Sequence, residues 1–196
     1  MKKILFLLIL CISLTSCLTA KRYHTAQESD VQVQSSDGVT VSCRFVSEGE
    51  LEDKYGTVNN PFTSKRFALT PLYCMVFEVE IKNETGLTLR YDSREVDLFF
   101  GEKSSRPAGE LDMEDKIDND GDTSGTERHR QLRLFKKTCY PVVMTLDPGK
   151  TVKKYVLFIN NFRERGECTL QLPILYAGGS VADEFSFTYN IEKKRK

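Results

Sequence analysis

Tryptophan is absent from this sequence of 196 residues, and histidine occurs at two positions, His24 and His129. Three catalytic patterns are also missing: the Gly-x-Ser-x-Gly turn of a nucleophilic serine, a glycine-rich phosphate loop and a His-Glu-x-x-His metal motif. Cys139 and His129 could in principle act as nucleophile and base, but the sequence specifies no third group to orient the histidine. We therefore expect a protein that is not an enzyme and has no cofactor.

An excess of one charge is lacking too, since 28 basic and 28 acidic residues give a formal net charge of zero. A nucleic-acid-binding domain is typically basic, so this balance excludes nucleic acid as a partner. The local exception is the basic run KKRK at residues 193–196. It could touch anionic lipid or cell wall, and we expect a solvated tail because chain ends are usually poorly ordered.

The one long apolar run lies at the N-terminus. Lys2 and Lys3 precede about 11 apolar residues, and the run ends in Leu14-Thr15-Ser16-Cys17. A membrane-spanning helix needs about 20 apolar residues, which disfavours an uncleaved transmembrane anchor.

The tetrapeptide ending in Cys17 resembles the lipobox of bacterial lipoprotein signal peptides. The resemblance implies cleavage before Cys17 and attachment to its thiol of a diacylglycerol, which carries fatty acyl chains such as palmitate. Leu18, in place of aspartate, implies export to the outer membrane. We therefore expect a signal peptide over residues 1–16, a tether over 17–30 and a folded domain over 31–192.

Six cysteines are present, and Cys11 and Cys17 belong to the signal and its lipobox. The other four show no Cys-x-x-Cys spacing, which excludes a zinc ribbon and a thioredoxin-like motif. Four cysteines allow three pairings, and an exported protein can form disulfides. The facing of the predicted strands favours the pairs Cys43–Cys168 and Cys74–Cys139 if bridges form, and buried free thiols are the alternative.

Alternating apolar residues predict antiparallel strands through most of the chain. In residues 31–45, two alternating runs flank the turn sequence Ser-Ser-Asp-Gly, which predicts a β-hairpin. The strongest alternation covers residues 72–82. The turn at residues 83–86 predicts that residues 87–100 return beside this strand as a long hairpin.

Later segments complete the architecture. Residues 152–159 are apolar on both faces and are expected to form a central strand, whereas Pro173 indicates an edge strand. Residues 47–64 and the polar insertion 101–130 are expected to be loops. About eight strands without a sustained helical period predict an all-β fold, a two-sheet antiparallel β-sandwich, with a barrel as the alternative.

Residues 76–83, 146–150 and 155–158 resemble small immunoglobulin-like lipoproteins of unknown function, in which a strand ending in asparagine precedes a Pro-Gly turn and another core strand. The resemblance implies an immunoglobulin-like sandwich and no particular activity. The absence of tryptophan departs from antibody-type domains, whose buried tryptophan packs on a disulfide.

Residues 116–127, KIDNDGDTSGTE, approach the pattern of a calcium-binding loop. With Gly121 at the sixth position, oxygen-bearing side chains fall at five ligand positions, namely Asp118, Asp120, Asp122, Ser124 and Glu127. The first position is Lys116, a cation, and no helical pattern flanks the loop. We therefore favour a solvated loop and keep a calcium site as the alternative.

The expected order of strands places the long segments together. If consecutive strands reverse direction, segments 47–64, 101–130 and 160–167 emerge at one end of the sandwich, and binding concentrates on such loops. We expect a membrane-anchored cell-envelope lipoprotein whose loops bind a protein or polysaccharide partner. The alternative is a structural or assembly subunit that joins other chains of an envelope complex through its strand edges.

Overall fold

The structure is a computed structural model. It describes residues 21–25, 31–63, 65–66, 71–119, 123–160 and 166–195. The strands in these ranges are β1 (Lys21–Thr25), β2 (Gln32–Ser36), β3 (Val39–Val46), β4 (Lys65–Arg66), β5 (Pro71–Asn83), β6 (Leu89–Asp92), β7 (Asp97–Phe100), β8 (Lys103–Ser105), β9 (Val143–Leu146), β10 (Thr151–Asn160), β11 (Gly166–Tyr176) and β12 (Val181–Arg195). The α-helices are α1 (Glu48–Tyr55), α2 (Glu110–Asp118) and α3 (Gly125–Thr138), and a 3₁₀ helix covers Ser93–Glu95.

The strands form two sheets. In the first sheet the order is β1-β12-β11-β6-β9, with β7 on β11 and β8 on β7. In the second sheet the order is β10-β5-β3-β2, with β4 on β5. Every strand pair is antiparallel. The prediction of a two-sheet antiparallel β-sandwich is confirmed.

The predicted hairpin at residues 31–45 is confirmed as β2 and β3. Its two-residue turn places Asp37 at φ 45° and Gly38 at φ 81°, the left-handed conformations that a tight hairpin turn requires. On β2, Gln32, Gln34 and Ser36 are half-buried, whereas Val33 is 60% exposed.

The glutamines of β2 cover the neighbouring edge of the first sheet. The Gln34 side chain accepts a hydrogen bond from Ser186 N at 3.1 Å and donates one to Ser186 O at 2.6 Å. Gln32 donates to the carbonyl oxygen of Thr188 at 2.7 Å. Side-chain amides thus satisfy backbone groups of β12 that an open edge strand would expose.

The first core fills the space between the sheets. Phe77 of β5 is fully buried, and its ring lies 5.6 Å from that of Phe45, 5.9 Å from that of Phe158 and 5.3 Å from that of Tyr189. These edge-on and tilted contacts join β3, β5 and β10 to β12 and add to the free energy of apolar burial. The apolar side chains that alternate along residues 73–81 therefore lie in this core, as the sequence predicts.

A second core lies on the opposite face of the second sheet, where α1, α2 and α3 pack on β5 and β10. Its buried members are Val46, Leu51, Phe62, Cys74, Val76, Met113, Ile117, Leu132, Phe135, Cys139, Tyr155 and Leu157. The expectation of loops at 47–64 and 101–130 is wrong, because a few apolar side chains at helical spacing, such as Met113 and Ile117, suffice to bury one helix face.

Two predictions about sheet position are wrong. Residues 87–100 do not pair with β5, because the chain crosses to the first sheet after Asn83. Strand β10 lies at the end of the strand order, and it is apolar on both faces because one face meets the first core and the other meets the helices.

The prediction of an edge strand at Pro173 is wrong as well. Strand β11 has β12 on one side, and on the other it pairs with β7 through Thr169, Leu170 and Gln171 and with β6 through Leu175 and Tyr176. Pro173 falls in the gap between these two pairings. A residue without an N–H group is tolerated there.

The expected tether and tail meet in one strand pair. Residues 21–25, assigned to the tether, form β1 on the C-terminal part of β12, and residues 193–195 of the expected tail continue β12. An irregular tether and tail are wrong at these positions because the two segments satisfy each other's backbone hydrogen bonds.

The short turns of the sandwich meet at one end. Glu84 N donates to Gly38 O at 2.7 Å, and Asn83 N donates to Lys150 O at 2.9 Å. Within the long segments, the helices α1, α2 and α3 cover the second sheet. Across the described part of the chain, no helix combines the length and the apolar character needed to cross a membrane.

Candidate anion-binding groove

Strand β6 alternates apolar and charged residues, and its charged residues form part of a candidate site. Leu89 and Tyr91 are buried in the first core, so Arg90 and Asp92 lie on the other face of the sheet. Arg94 follows in the 3₁₀ helix that begins after Asp92. Three charged side chains are thereby collected within five residues of chain.

The carboxylate of Asp92 is the anchor of this cluster. It is 2% exposed, and its Oδ1 accepts from Arg94 Nε at 2.8 Å and from Arg94 N at 3.1 Å. Its Oδ2 accepts from Arg94 Nη2 at 2.6 Å and also pairs with Arg90. The hydrogen bonds from Arg94 lower the pKa of Asp92 to about 2, so it is ionised at neutral pH.

A groove of about 500 Å³ adjoins this cluster. Its lining consists of Arg90, Asp92, Arg94, Glu95, Arg106, Leu175, Gly179 and Val181. Arg106 is exposed and forms no ion pair with any residue in the described ranges, and Val181 is 61% exposed. The charged side chains leave one net positive charge, which with two apolar side chains suits a carboxylate, sulfate or phosphate group on a larger partner.

A second cavity, of about 230 Å³, lies between the ends of α2 and α3 and strand β10. Cys139 and Tyr91 line it, and the buried Tyr91 hydroxyl has no hydrogen-bond partner in the described part of the chain. Burial raises the pKa of Cys139 to about 12. A thiol that stays protonated at neutral pH is a poor nucleophile.

The candidate base for Cys139 lies elsewhere. His129 is exposed on α3 and precedes Cys139 by ten residues, which is about 15 Å along a helix. The Cys139–His129 pairing considered from the sequence is therefore wrong.

The four cysteines of the folded domain are buried free thiols in the structure. Cys43 and Cys168 lie in the first core, and Cys74 and Cys139 in the second, so each expected pair has both members in one core. Cys168 is the strand partner of Tyr189, and the Cα atoms of β3, which carries Cys43, and β12 approach within 8 Å. A Cys43–Cys168 bridge stays a prediction.

A Cys74–Cys139 bridge does not fit the register. The backbone of Cys139 forms an isolated β-bridge with Tyr155 of β10, and Tyr155 lies opposite Glu78 of β5. Cys74 lies four residues from Glu78, about 13 Å along the strand. A disulfide requires Cα atoms within about 7 Å, so this pairing is wrong unless the backbone moves.

The calcium candidates serve other purposes where the structure describes them. Asp118 pairs with Arg128, Oδ1 to Nε at 2.7 Å. Ser124 Oγ accepts from Glu127 N at 3.3 Å, and the Glu127 carboxylate accepts from Ser124 N at 2.9 Å. This reciprocal capping box begins α3.

The remaining calcium candidates, Asp120 and Asp122, lie outside the described residues. Lys116, at the first loop position, is buried and donates to Pro61 O at 3.0 Å. The expectation that no helix flanks the loop is wrong, because α2 precedes it and α3 follows it. Among the residues that can be described, three or more His, Cys, Asp or Glu side chains do not gather at any point where a metal ion could bind.

Cys17, the candidate lipidation site, lies outside the described residues. The groove could not be predicted because residues 87–100 were expected to form one arm of a hairpin. Arg90 and Asp92 alternate with buried residues on β6, and Arg94 joins them from the 3₁₀ helix. No local signal connects them to Arg106, which follows β8 and reaches the groove through tertiary folding.

No protein-family model matches this chain, and no curated protein matches it. A solved structure of a candidate lipoprotein (ycdA) from Bacillus subtilis is similar at 14% identity and a TM-score of 0.47 over 83% of this chain and 39% of that chain. This chain therefore spans less than half of the Bacillus protein.

Two other solved structures are similar. A functionally unknown protein from Listeria monocytogenes EGD-e matches at 13% identity and a TM-score of 0.43, over 89% of this chain and 90% of that one. ApaA from Bordetella pertussis matches at 13% identity and a TM-score of 0.31, over 85% of this chain and 95% of that one. TM-scores this low assign neither a family nor a function.

Proposed function

We propose that this chain is a non-enzymatic lipoprotein of the cell envelope with an immunoglobulin-like sandwich, anchored through Cys17 at the outer membrane. The groove around Asp92 binds an anionic group of a protein or polysaccharide partner. The observation that carries the binding role is Arg106, an exposed arginine without an ion pair in the described ranges, on the wall shared with Arg90 and Arg94.

The sequence supports the anchor. Leu14-Thr15-Ser16-Cys17 ends a short apolar run behind two lysines. The first described strand begins at Lys21, four residues after Cys17, which spans at most about 14 Å. A lipidated Cys17 therefore holds the folded domain close to the bilayer.

The groove supports selective binding of anions. Asp92 holds the guanidinium groups of Arg90 and Arg94 in fixed positions, which reduces the entropy that they lose on binding. Arg106 adds a charge that no neighbour in the described ranges compensates. Arginine forks match the planar geometry of carboxylate groups, which uronic acid polysaccharides and acidic proteins both carry.

The test compares three soluble polymers: polygalacturonate, polyglutamate and neutral dextran. Isothermal titration of the purified lipoprotein in detergent is expected to show binding of at least one acidic polymer and none of dextran. Arg106→Gln weakens this binding, whereas the control Arg133→Gln, an exposed arginine on α3, leaves it unchanged. Tighter binding of polygalacturonate than of polyglutamate indicates a polysaccharide partner, and the reverse indicates a protein partner.

Two outcomes would contradict the binding role. One is equal affinity of the Arg106→Gln and Arg133→Gln variants for the acidic polymers, which would mean that general charge attraction and not the groove is measured. The other is no binding of either acidic polymer at low ionic strength, where electrostatic attraction is strongest.

The second candidate function is an assembly subunit, and the observation that favours it is the outer edge of β9. This strand ends the first sheet. Its first residue, Val143, is 43% exposed, and the preceding Val142 is 49% exposed. Sedimentation velocity decides between the two. Concentration-dependent oligomers that Val143→Lys abolishes support assembly, and a monomer at every concentration contradicts self-assembly through this edge.

A further inference from the structure

The second cavity, of about 230 Å³, is lined by three tyrosines, which differ in what their hydroxyl groups contact. The Tyr140 hydroxyl donates to Val79 O at 3.2 Å, and the Tyr155 hydroxyl accepts from Lys54 Nζ at 2.7 Å. The Tyr91 hydroxyl is buried and has no hydrogen-bond partner among the residues that the structure describes. A buried polar group without a partner costs free energy, so a ligand that pairs with this hydroxyl gains affinity.

The Tyr91 side chain is held in one place by its neighbours. It is 2% exposed, and its ring packs on that of Tyr140 with the ring centroids 4.5 Å apart. Burial raises the pKa of Tyr91, and the nearby Cys139, which also lines the cavity, raises it further. The hydroxyl is therefore protonated at neutral pH. It is a preorganised hydrogen-bond donor that loses little conformational entropy when a ligand binds.

The remaining lining suits a neutral and mainly apolar molecule. Phe135, Val156 and Leu157 are buried and contribute apolar surface. The two charged residues of the lining, Glu110 and Lys136, are exposed and form an ion pair with each other. An ionised ligand would lose its hydration without finding an uncompensated charge in this lining, which makes its binding unfavourable.

The volume of the cavity sets the size of the ligand. An apolar cavity of about 150 Å³ is large enough to bind benzene, so about 230 Å³ admits a benzene ring with a short substituent. The exposed members of the lining, which include Lys136 and Val142, mark the side on which the cavity meets solvent.

We propose that this cavity binds a small neutral molecule, of the size of a substituted benzene ring, whose carbonyl or ether oxygen accepts a hydrogen bond from the Tyr91 hydroxyl. The site is separate from the groove around Asp92, because the two linings share no residue. Its ligand is uncharged, whereas the groove is proposed to bind anions. The two proposals can therefore fail independently.

Methyl-resolved NMR of the full protein in detergent tests this proposal with three probes. Acetophenone carries the carbonyl oxygen, α-methylstyrene has a CH₂ group in its place, and benzoate is the charged analogue. Free probe concentrations are measured, because micelles take up apolar molecules. We expect saturable shifts of the Val156 and Leu157 methyl signals, with acetophenone binding about tenfold more tightly than α-methylstyrene and benzoate not binding. Val33, exposed on β2 at the opposite edge of the second sheet, is the internal control and keeps its shifts.

Variants of the lining give the second arm. Tyr91→Phe keeps the ring and removes the hydroxyl, so the affinity for acetophenone falls about tenfold and that for α-methylstyrene is unchanged. The matched control is Tyr189→Phe, at a buried tyrosine of the first core that does not line the cavity; it changes neither affinity. Ala108→Leu, at a half-buried position of the lining, fills the cavity and abolishes binding of both probes.

Four outcomes would overturn the proposal. The first is no shift of the Val156 and Leu157 signals with any probe, and the second is an equal shift of the Val33 signals, which would mean non-specific uptake. The third is an equal effect of Tyr91→Phe and Tyr189→Phe on acetophenone binding, which would mean that the Tyr91 hydroxyl does not recognise the ligand. The fourth is tighter binding of benzoate than of acetophenone. None of them changes the expected binding of acidic polymers at the groove.

Discussion

Asn83 Nδ2 donates a hydrogen bond to the carbonyl oxygen of Leu146 at 2.8 Å, which ties the end of β5 in the second sheet to β9 in the first. The same amide donates to Leu87 O at 2.9 Å, and its Oδ1 accepts from Thr85 N and Thr85 Oγ1 at 3.0 and 2.7 Å. One buried side chain thus organises the crossing between the sheets.

Replacing this amide should therefore destabilise the whole domain. We expect Asn83→Ala to lower the free energy of unfolding by about 3 kcal/mol, since each hydrogen bond contributes about 1 kcal/mol and buried carbonyl groups are left unpaired. Urea unfolding followed by circular dichroism measures the loss. The control Asn190→Ala, at an exposed position of β12, should change stability by less than about 0.5 kcal/mol; equal effects of the two substitutions would contradict this role.

Gly38 is required by the turn between β2 and β3. Its φ is 81°, and an added Cβ would lie 3.2 Å from the carbonyl carbon and oxygen of Glu84. We expect Gly38→Ala to cost about 1–3 kcal/mol, because both the left-handed backbone and the contact with fixed backbone atoms oppose it.

Gly86→Ala is the matched control, because a Cβ there meets nothing within 4 Å. The two urea midpoints are measured side by side. A Gly38→Ala midpoint equal to that of the control would show that the turn adapts without strain.

The buried ion cluster at Asp92 predicts a specific dependence of stability on pH. Hydrogen bonds from Arg94 lower its pKa from 3.8 to about 2. Because the folded-state value is depressed, its contribution is fully present above the unfolded-state pKa and is lost as the pH falls from 3.8 towards 2. The difference in unfolding free energy between the parent protein and Asp92→Asn should be constant near neutral pH and shrink in that acid range.

The Asp53→Asn variant, at an exposed position of α1, serves as the control for Asp92→Asn. Its stability should follow that of the parent protein throughout. A difference for Asp92→Asn that persists unchanged to the acid end would show that folding does not lower the pKa of the Asp92 carboxyl group.

The thiols should be unreactive in the native protein. Burial raises the pKa of Cys43, Cys139 and Cys168 to about 12, so few thiolates form at about pH 8. Alkylation with iodoacetamide should be slow before unfolding and fast afterwards. Rapid native alkylation of any of the three would contradict their burial, and non-reducing peptide mapping reports whether a Cys43–Cys168 bridge forms.

The strands could be predicted because their signals are local. In the β2–β3 hairpin, alternation and the Asp37-Gly38 turn agree, and the structure follows both. Sheet membership could not be predicted, because the turn after Asn83 is compatible with a hairpin and with a crossing. The side-chain hydrogen bond of Asn83 to Leu146 favours the crossing, and it joins residues that are 63 positions apart in the sequence.

The start of α3 has a recognisable sequence pattern, which also fits part of a calcium-binding loop. Ser124 and Glu127 form the Ser-x-x-Glu pattern of a capping box, and both were assigned to a calcium loop. Their spacing suits either interpretation, and the burial of Leu132 and Phe135 on the second sheet favours the helix. The groove depends on Arg106, whose place beside Asp92 follows from the fold alone.

Anchoring at Cys17 is the claim on which the envelope function depends. Mass spectrometry of the N-terminal peptide from a bacterial membrane fraction tests it most directly. The account predicts a peptide that begins at Cys17 and carries a diacylglyceryl group, and a Cys17→Ala protein that is unprocessed or soluble. A Cys17→Ala protein that stays membrane-bound and is normally cleaved would contradict it.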